Sequence, residues 1–277
     1  MKLNPLAAKL FSLENRVAVI TGGAGLLGLK HAEIVAAAGG IPLLIDLDDE
    51  RAQSAAEDLK QRFGSRAKGL RGDVTSQPSV LELSQAILQE FGRIDVLINN
   101  AANNPSVEKK SGFSRVENFP LEQWEADVDV GLKGAFLCTQ VFGGQMARDG
   151  GGVVVNVSSE YGVNAPDQRL YRVEGLPEDQ QPVKPVTYTV VKSGLIGMTR
   201  YFATYWGAQG VRVNAISIAG VQNGQPEEFV RRYVSGVPLG RMAQPDEYQG
   251  SILYLCSDAS RFLTGANLIV DGGKSCW

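Results

Sequence analysis

Histidine is almost missing from this chain: His31 is the only one in 277 residues. A pair of histidines for a metal is therefore unavailable, and a histidine base could only be His31, which is expected to be structural or solvated. Cysteine is scarce as well. Cys138, Cys256 and Cys276 follow neither a disulfide framework nor a zinc-type spacing, so reduced thiols in a cytoplasmic protein are expected, with no metal site. No apolar run approaches bilayer-spanning length, and the opening MKLNPLAAKLFSLENR carries charges throughout, so neither a membrane span nor a signal peptide is expected. The net charge is −3 with no basic block, which argues against nucleic acid or an anionic membrane as partner.

What the chain does have is alternation. RVAVIT (16–21), IPLLID (41–46), AKGLRG (67–72), IDVLIN (94–99), GVVVNV (152–157), VRVNAIS (211–217) and ANLIVD (266–271) read as seven strands. They are β-branched and mostly continuous in apolar character, as expected of a parallel sheet covered on both faces. Helix-length segments lie between them, at 50–63, 79–91, 122–147 and 245–256. The expected fold is a single-domain α/β Rossmann-type doubly wound parallel sheet of about seven strands, spanning 1–277 behind an N-terminal arm (1–15). Two stretches read as loops, 102–120 and the polar 164–185.

The first strand runs into TGGAGLLG and then a helix. Gly23, Gly25 and Gly28 satisfy G-x-G-x-x-G in the strand–turn–helix setting where backbone amides approach a pyrophosphate. Asp46 ends the second strand, placed to accept hydrogen bonds from both ribose hydroxyls of NAD and to repel the 2′-phosphate of NADP. Leu47 follows, with no arginine at that position to receive the phosphate, and the cofactor expected is NAD.

In VTYTVVKSG, Tyr188 and Lys192 are four residues apart and would share a helix face. A phenol with a pKa of about 10 is a poor base at neutral pH. A lysine ammonium and a nicotinamide cation would stabilise the phenolate and let tyrosine exchange a proton with a carbinol oxygen. NVSSEYG places Ser158 and Ser159 at a strand C-terminus, where a hydroxyl could hold the same oxygen.

Taken together, TGGAGLLG, Asp46, GDV, NNAA, NVSS, YTVVK, VRVNAIS and TGANLIVDGG resemble the short-chain dehydrogenase/reductase family over nearly the whole chain. The resemblance implies a catalytic set of Ser159 (rather than Ser158), Tyr188 and Lys192, with Lys192 also on the nicotinamide ribose. It implies cofactor contacts at Gly22, Gly25, Leu27 and Asp46. Asp73 and Val74 would meet the adenine, Asn99, Asn100 and Ala101 would pack along the cofactor, and Val221 and Asn223 would lie at the nicotinamide end.

The departures are informative. Gly131 stands where the family has the asparagine of its proton relay. Ala102 replaces a glycine, Ile218–Ala219 replaces a Pro-Gly pair, and Asn223 replaces a threonine. The glycine loop is similar to the T-G-x-x-G-x-x-G of the extended, sugar-nucleotide-modifying branch, and the Ser159-to-Tyr188 interval is unusually long, yet the ending matches the family's short members with no further substrate lobe.

The insertion at 164–186 carries Asp167, Gln168, Arg169, Tyr171, Arg172 and Glu174, which would suit a hydroxyl-rich or phosphorylated substrate if it folds over the strand ends. Glu160 and Tyr161 are further contact candidates, and residues 224–244 resemble the family's substrate helix. The reading is an NAD-dependent oxidoreductase interconverting a secondary alcohol and a ketone on a polar, carbohydrate-like small molecule. The alternatives are a sugar epimerase or dehydratase using NAD transiently, and an NAD-binding regulatory subunit impaired at Gly131. The family resemblance also implies a homo-oligomer, a tetramer or dimer.

Overall fold

A computed structural model describes residues 4–103 and 115–277. Part of the expected loop at 102–120 therefore lies outside the described residues, as do the first three residues of the arm. The rest of the arm contains a short helix, α1 (Pro5–Phe11), started by Asn4, whose side chain accepts from the Leu6 amide.

The seven expected strands form one sheet: β1 (Val17–Thr21), β2 (Ile41–Asp46), β3 (Lys68–Arg71), β4 (Val96–Asn99), β5 (Gly152–Ser159), β6 (Val211–Ile218) and β7 (Asn267–Val270). Their order is β3-β2-β1-β4-β5-β6-β7, and every neighbouring pair is parallel. The order reverses direction between β1 and β4. In sheets of this class ligands bind at that switch, outside the carboxyl ends of the strands. The glycine loop and NNAA leave from those two strands.

Both faces of the sheet are covered, as the unbroken apolar strands require. Alternate residues of β1 face opposite cores: Ala18 and Ile20 join Leu44, Val155 and Ile252 on one side, and Val17 and Val19 join Leu43, Val154 and Phe142 on the other. The first core carries α2 (Leu26–Ala37), α3 (Asp49–Phe63) and α10 (Gln249–Cys256). The second carries α4 (Gln77–Phe91), the long helical run after β4, and α8 (Val186–Trp206).

The segment expected as one helix at 122–147 is a continuous right-handed helical run with two flaws. It comprises α5 (Leu121–Val128), α6 (Gly134–Cys138) and α7 (Gly144–Arg148), linked by π turns at Asp129–Lys133 and Thr139–Gly143. Periodicity cannot reveal an i→i+5 turn, because the apolar stripe shifts by only one residue. Gly131 sits in the first of these turns. The last expected helix is shorter than 245–256 and starts at Gln249. Within 224–244 one helix forms, α9 (Glu227–Val234).

Candidate active site

Apart from Asn99, the catalytic and cofactor positions implied by the family resemblance meet in one cleft of about 1040 Å³ at the strand C-termini. At one end lie Gly22, Gly25, Leu27, Asp46, Asp73 and Val74. Asn100 and Ala101 line its middle, and Val221, Asn223, Ser159, Tyr188 and Lys192 line the far end.

The glycine end is held by Thr21. Its hydroxyl accepts from the Asn100 and Ala101 amides, each at 3.0 Å, and the Asn100 side chain donates to the carbonyls of Thr21 (3.0 Å) and Gly22 (3.1 Å). Gly22 adopts φ +60, and a Cβ there would lie 3.0 Å from the Ala101 Cα, so only glycine keeps the two loops this close. Gly25 caps the start of α2 without a side-chain hydrogen bond, which leaves first-turn amides open to a phosphate. Asp46 Oδ2 accepts from the Ala24 amide at 3.1 Å, fixing the carboxylate beside the loop.

Two residues at this end differ from expectation. Asn99, expected along the cofactor, turns inward: its amide donates to Thr139 (2.9 Å) and Asn156 (2.8 Å) in the core. Arg51, outside the short window after β2 in which an arginine was sought, lines the cleft and donates to the Ala24 carbonyl at 2.9 Å. The first turn of α3 brings it back beside Asp46. His31 is buried behind Asn100, and burial pushes its imidazole down to about 4, so it is a neutral structural residue.

At the far end α8 presents Tyr188 and Lys192 as their spacing requires. Lys192 Nζ donates to the Val157 carbonyl at 2.7 Å and lies 5.8 Å from the Tyr188 ring centroid. Burial, with the charge of Lys184 added, pushes Lys192 down to about 8. Burial raises the Tyr188 phenol above its ordinary value, and a hydrogen bond with Ser159 opposes that rise. Ser158 is committed elsewhere, its hydroxyl donating to the Lys192 carbonyl at 2.8 Å, which leaves Ser159 as the serine beside the phenol.

Gly131 has a packing reason. A Cβ there would come 2.5 Å from Val191 Cγ1 on α8, so the turn and α8 approach too closely for a side chain. The gap on the relay side is a cavity about the size of one water, lined by Asn103, Asp127, Thr187 and Lys192 among others.

The insertion does lie over the strand ends, but not with all the expected groups. Tyr171, Arg172 and Glu174 line the cleft. Asp167 and Arg169 instead pair with each other at the surface (2.9 Å), and Gln168 accepts from the Lys184 amide at 2.8 Å. Gln181 closes the loop by accepting from the Val173 amide (2.8 Å) and donating to the Leu176 carbonyl (2.7 Å). Leu170 packs on Tyr233, Val237 and Met242, and Tyr171 meets Phe229, so the loop and α9 share a small core. Glu160 is buried beneath them, accepting from Tyr233 (2.8 Å) and Lys274 (3.1 Å). Sequence reasoning missed Lys184, whose ammonium lies 4.0 Å from the Tyr188 ring centroid. Its position four residues before Tyr188 was the available signal.

Among the described residues no group of three or more His, Cys, Asp or Glu could hold a metal ion, and no helix is long and apolar enough to cross a membrane.

Comparison with known proteins agrees with this geometry. The family model described as short chain dehydrogenase matches residues 16–171, and one described as enoyl-(acyl carrier protein) reductase matches 179–275. D-threitol dehydrogenase of Mycolicibacterium smegmatis is 32% identical over 271 residues, covering 95% of this chain and 94% of that protein. NAD-dependent glycerol dehydrogenase of Listeria innocua is 30% identical, with 95% of each covered. The solved structure of a gluconate 5-dehydrogenase from Burkholderia cenocepacia, in complex with NADP and tartrate, superposes with a TM-score of 0.86 at 25% identity, covering 98% of this chain and 99% of that one. With its seven-stranded parallel sheet and a cleft suited to a nicotinamide cofactor, this chain belongs to the short-chain dehydrogenase family and is an oxidoreductase acting on CH–OH groups.

Proposed function

We propose that this protein is an NAD-dependent dehydrogenase that interconverts a secondary alcohol and a ketone on a small polyol or related carbohydrate. The observation that carries the reading is the single cleft running from Asp46 to Tyr188 and ending against Tyr161 and against Tyr171 and Lys184 of the polar insertion. The threitol, glycerol and gluconate dehydrogenases to which the chain is similar act on hydroxyl-rich molecules, which supports the same class here.

The residues fit a dinucleotide: a glycine turn a Cβ would close, open first-turn amides of α2 for phosphates, and a fixed carboxylate at Asp46 for ribose hydroxyls. NAD is favoured because that carboxylate would repel a 2′-phosphate, and because Arg51 is engaged by the Ala24 carbonyl. When bound, the nicotinamide supplies or accepts the hydride. The chain's own residues handle the proton. Ser159 holds the carbinol oxygen, and the Tyr188 phenol exchanges the proton with it. Lys192, a buried ammonium braced on the Val157 carbonyl, provides the positive potential that burial alone denies the phenolate.

Assembly as a homodimer or homotetramer is part of the proposal, supported by the exposed aromatic face of α8, where Tyr201 and Tyr205 are each about 60% exposed beside Phe136.

The test is NADH formation from threitol, glycerol, xylitol and gluconate with NAD⁺ and NADP⁺ side by side. Steady turnover with NAD⁺ is expected, and Tyr188→Phe should lower it by roughly 10²–10⁴-fold while NAD⁺ binding persists. Full activity of Tyr188→Phe would overturn the assignment. NADH-free conversion of a sugar would favour the epimerase alternative.

A further inference from the structure

We propose that Tyr161 and Tyr171 are specificity-determining residues: their paired hydroxyls bind a vicinal diol on the two carbons next to the carbon that reacts at Tyr188. This rests on the reading of the cleft as a polyol-type site and narrows its substrates to polyols in which two more hydroxyl-bearing carbons follow the reacting one.

Each phenol is fixed by its own local structure. Tyr161 lies two residues beyond Ser159, in the short turn Glu160–Gly162, and its amide donates to the Ser159 hydroxyl at 3.2 Å. Its ring meets the Tyr188 ring edge-on, with centroids 6.2 Å apart and planes at 81°. Tyr171 ends the turn Gln168–Tyr171, which Asp167 starts by accepting from the Arg169 amide at 3.0 Å. Its ring leans on Phe229 of α9, with centroids 5.6 Å apart, beside the small core around Leu170 and Tyr233. Both residues line the cleft, and their hydroxyl oxygens stand 3.3 Å apart. Because Tyr161 packs against Tyr188, a molecule that offers its carbinol to the Tyr188 phenol brings the next atoms of its chain to this pair.

Counting protons separates the ligand classes. Burial pushes Tyr171 up to about 12 and raises Tyr161 as well, so both are neutral phenols that keep their protons near neutral pH. Each can donate once and still accept. One proton lies in the bond between the two oxygens, and among the described residues neither hydroxyl makes a further hydrogen bond. At 3.3 Å that bond is long against the about 2.7–2.8 Å usual for O–H···O, so it closes neither oxygen to another partner. The pair therefore offers one donor and one acceptor side by side.

A vicinal diol is the complement, one hydroxyl accepting and its neighbour donating across a similar oxygen–oxygen separation. A carboxylate only accepts, so its second oxygen would face phenol lone pairs. An alkyl or acyl chain would bury the remaining proton without a partner, at a cost in binding.

The experiment compares threitol with 1,2,4-butanetriol and 1,2-butanediol, which keep a secondary carbinol on the same carbon skeleton but lack one or both hydroxyls of the diol. Wild type, Tyr161→Phe, Tyr171→Phe and the double variant are assayed for kcat/KM with NAD⁺. Calorimetric binding of each compound is measured with NADH present, so that no turnover occurs. NAD⁺ affinity and far-UV circular dichroism serve as the folding check. The wild type should prefer threitol over 1,2-butanediol roughly 10- to 100-fold in Kd and in kcat/KM, with 1,2,4-butanetriol close to 1,2-butanediol. Each phenylalanine substitution should shrink that preference roughly 10-fold, and the double variant little further, because the pair binds as a unit.

A threitol preference that survives both substitutions would overturn the proposal. So would equal losses on all three compounds with a displaced pH–rate profile, since Tyr161 would then act only by packing on Tyr188. Tyrosine-dependent binding of threitol without NADH formation from any compound would remove the proposed activity and leave this inference standing. Wild-type turnover of 1,2-butanediol as efficient as that of threitol would leave the activity standing and remove this inference.

Discussion

Adding one methyl group at Gly131 sets two effects of opposite sign against each other. In a helical run, alanine is favoured over glycine by about 1 kcal/mol, because glycine has more backbone freedom to lose. The added Cβ, however, would stand 2.5 Å from Val191 Cγ1. Ordinary carbon–carbon contact is about 3.5–4.0 Å, so roughly an ångström of overlap must be relieved. Val191 is buried and β-branched, with little rotamer freedom on α8, so the relief comes from forcing its χ1 or parting the helices, at about 1–3 kcal/mol. The clash wins, and Gly131→Ala should destabilise by about 1 kcal/mol, lowering Tm by about 2–4 °C.

The sign should reverse once the obstacle is removed. In a Val191→Ala background Cγ1 is gone, and Gly131→Ala should stabilise by about 0.5–1 kcal/mol, a coupling near 2 kcal/mol in the double-mutant cycle. Gly131→Asn, with a larger side chain and poorer helix propensity, should cost more than Gly131→Ala in either background. Urea unfolding of the four proteins of the alanine cycle at one protein concentration, followed by far-UV circular dichroism, measures this. A stabilising Gly131→Ala in the wild-type background, or the same effect in both backgrounds, would refute the packing explanation for the missing asparagine.

Three more outcomes are expected. His31 is the only histidine, and burial holds it near 4 against an ordinary value of 6.5, so the unfolded chain binds the extra proton in that interval. Its stabilising share is intact above pH 6.5 and lost as pH falls toward 4, about 3 kcal/mol in all; His31→Leu should flatten the stability–pH curve there. Arg212 donates to the carbonyls of Leu255 (3.1 Å) and Ser257 (3.1 Å) and to the Ser260 hydroxyl (3.0 Å). Arg212→Met should therefore cost about 2–3 kcal/mol in urea unfolding, with the catalytic pH profile unmoved. Asp46→Ser should raise KM for NAD⁺ roughly 10- to 100-fold and improve relative use of NADP⁺, since the carboxylate that would repel the 2′-phosphate is then gone; unchanged cofactor preference would remove Asp46 from its assigned role.

The order of strands and helices, the glycine turn, Asp46 and the set Ser159, Tyr188 and Lys192 were all legible in the residues. Each depends on short spacing: a buried parallel strand is a local apolar run, a phosphate-facing turn is a local glycine pattern, and one helix turn brings positions 188 and 192 together. Residues whose roles depend on distant partners were not legible. Asn99 turns to Thr139 and Asn156 rather than to the cofactor, because the core beneath β4 supplies hydrogen-bond partners that its neighbours in sequence do not reveal. Asp167 and Arg169 neutralise each other at the surface, while Lys184, whose amide is held by Gln168 and which Pro185 follows, lines the cleft. The glycine at 131 reads from sequence as a missing relay residue. Only the approach of two helices, with Val191 pressed against it, reveals a site where no side chain fits. Spacing along the chain therefore determined the fold and the shared helix face of Tyr188 and Lys192, whereas packing between distant segments decided which groups line the cleft.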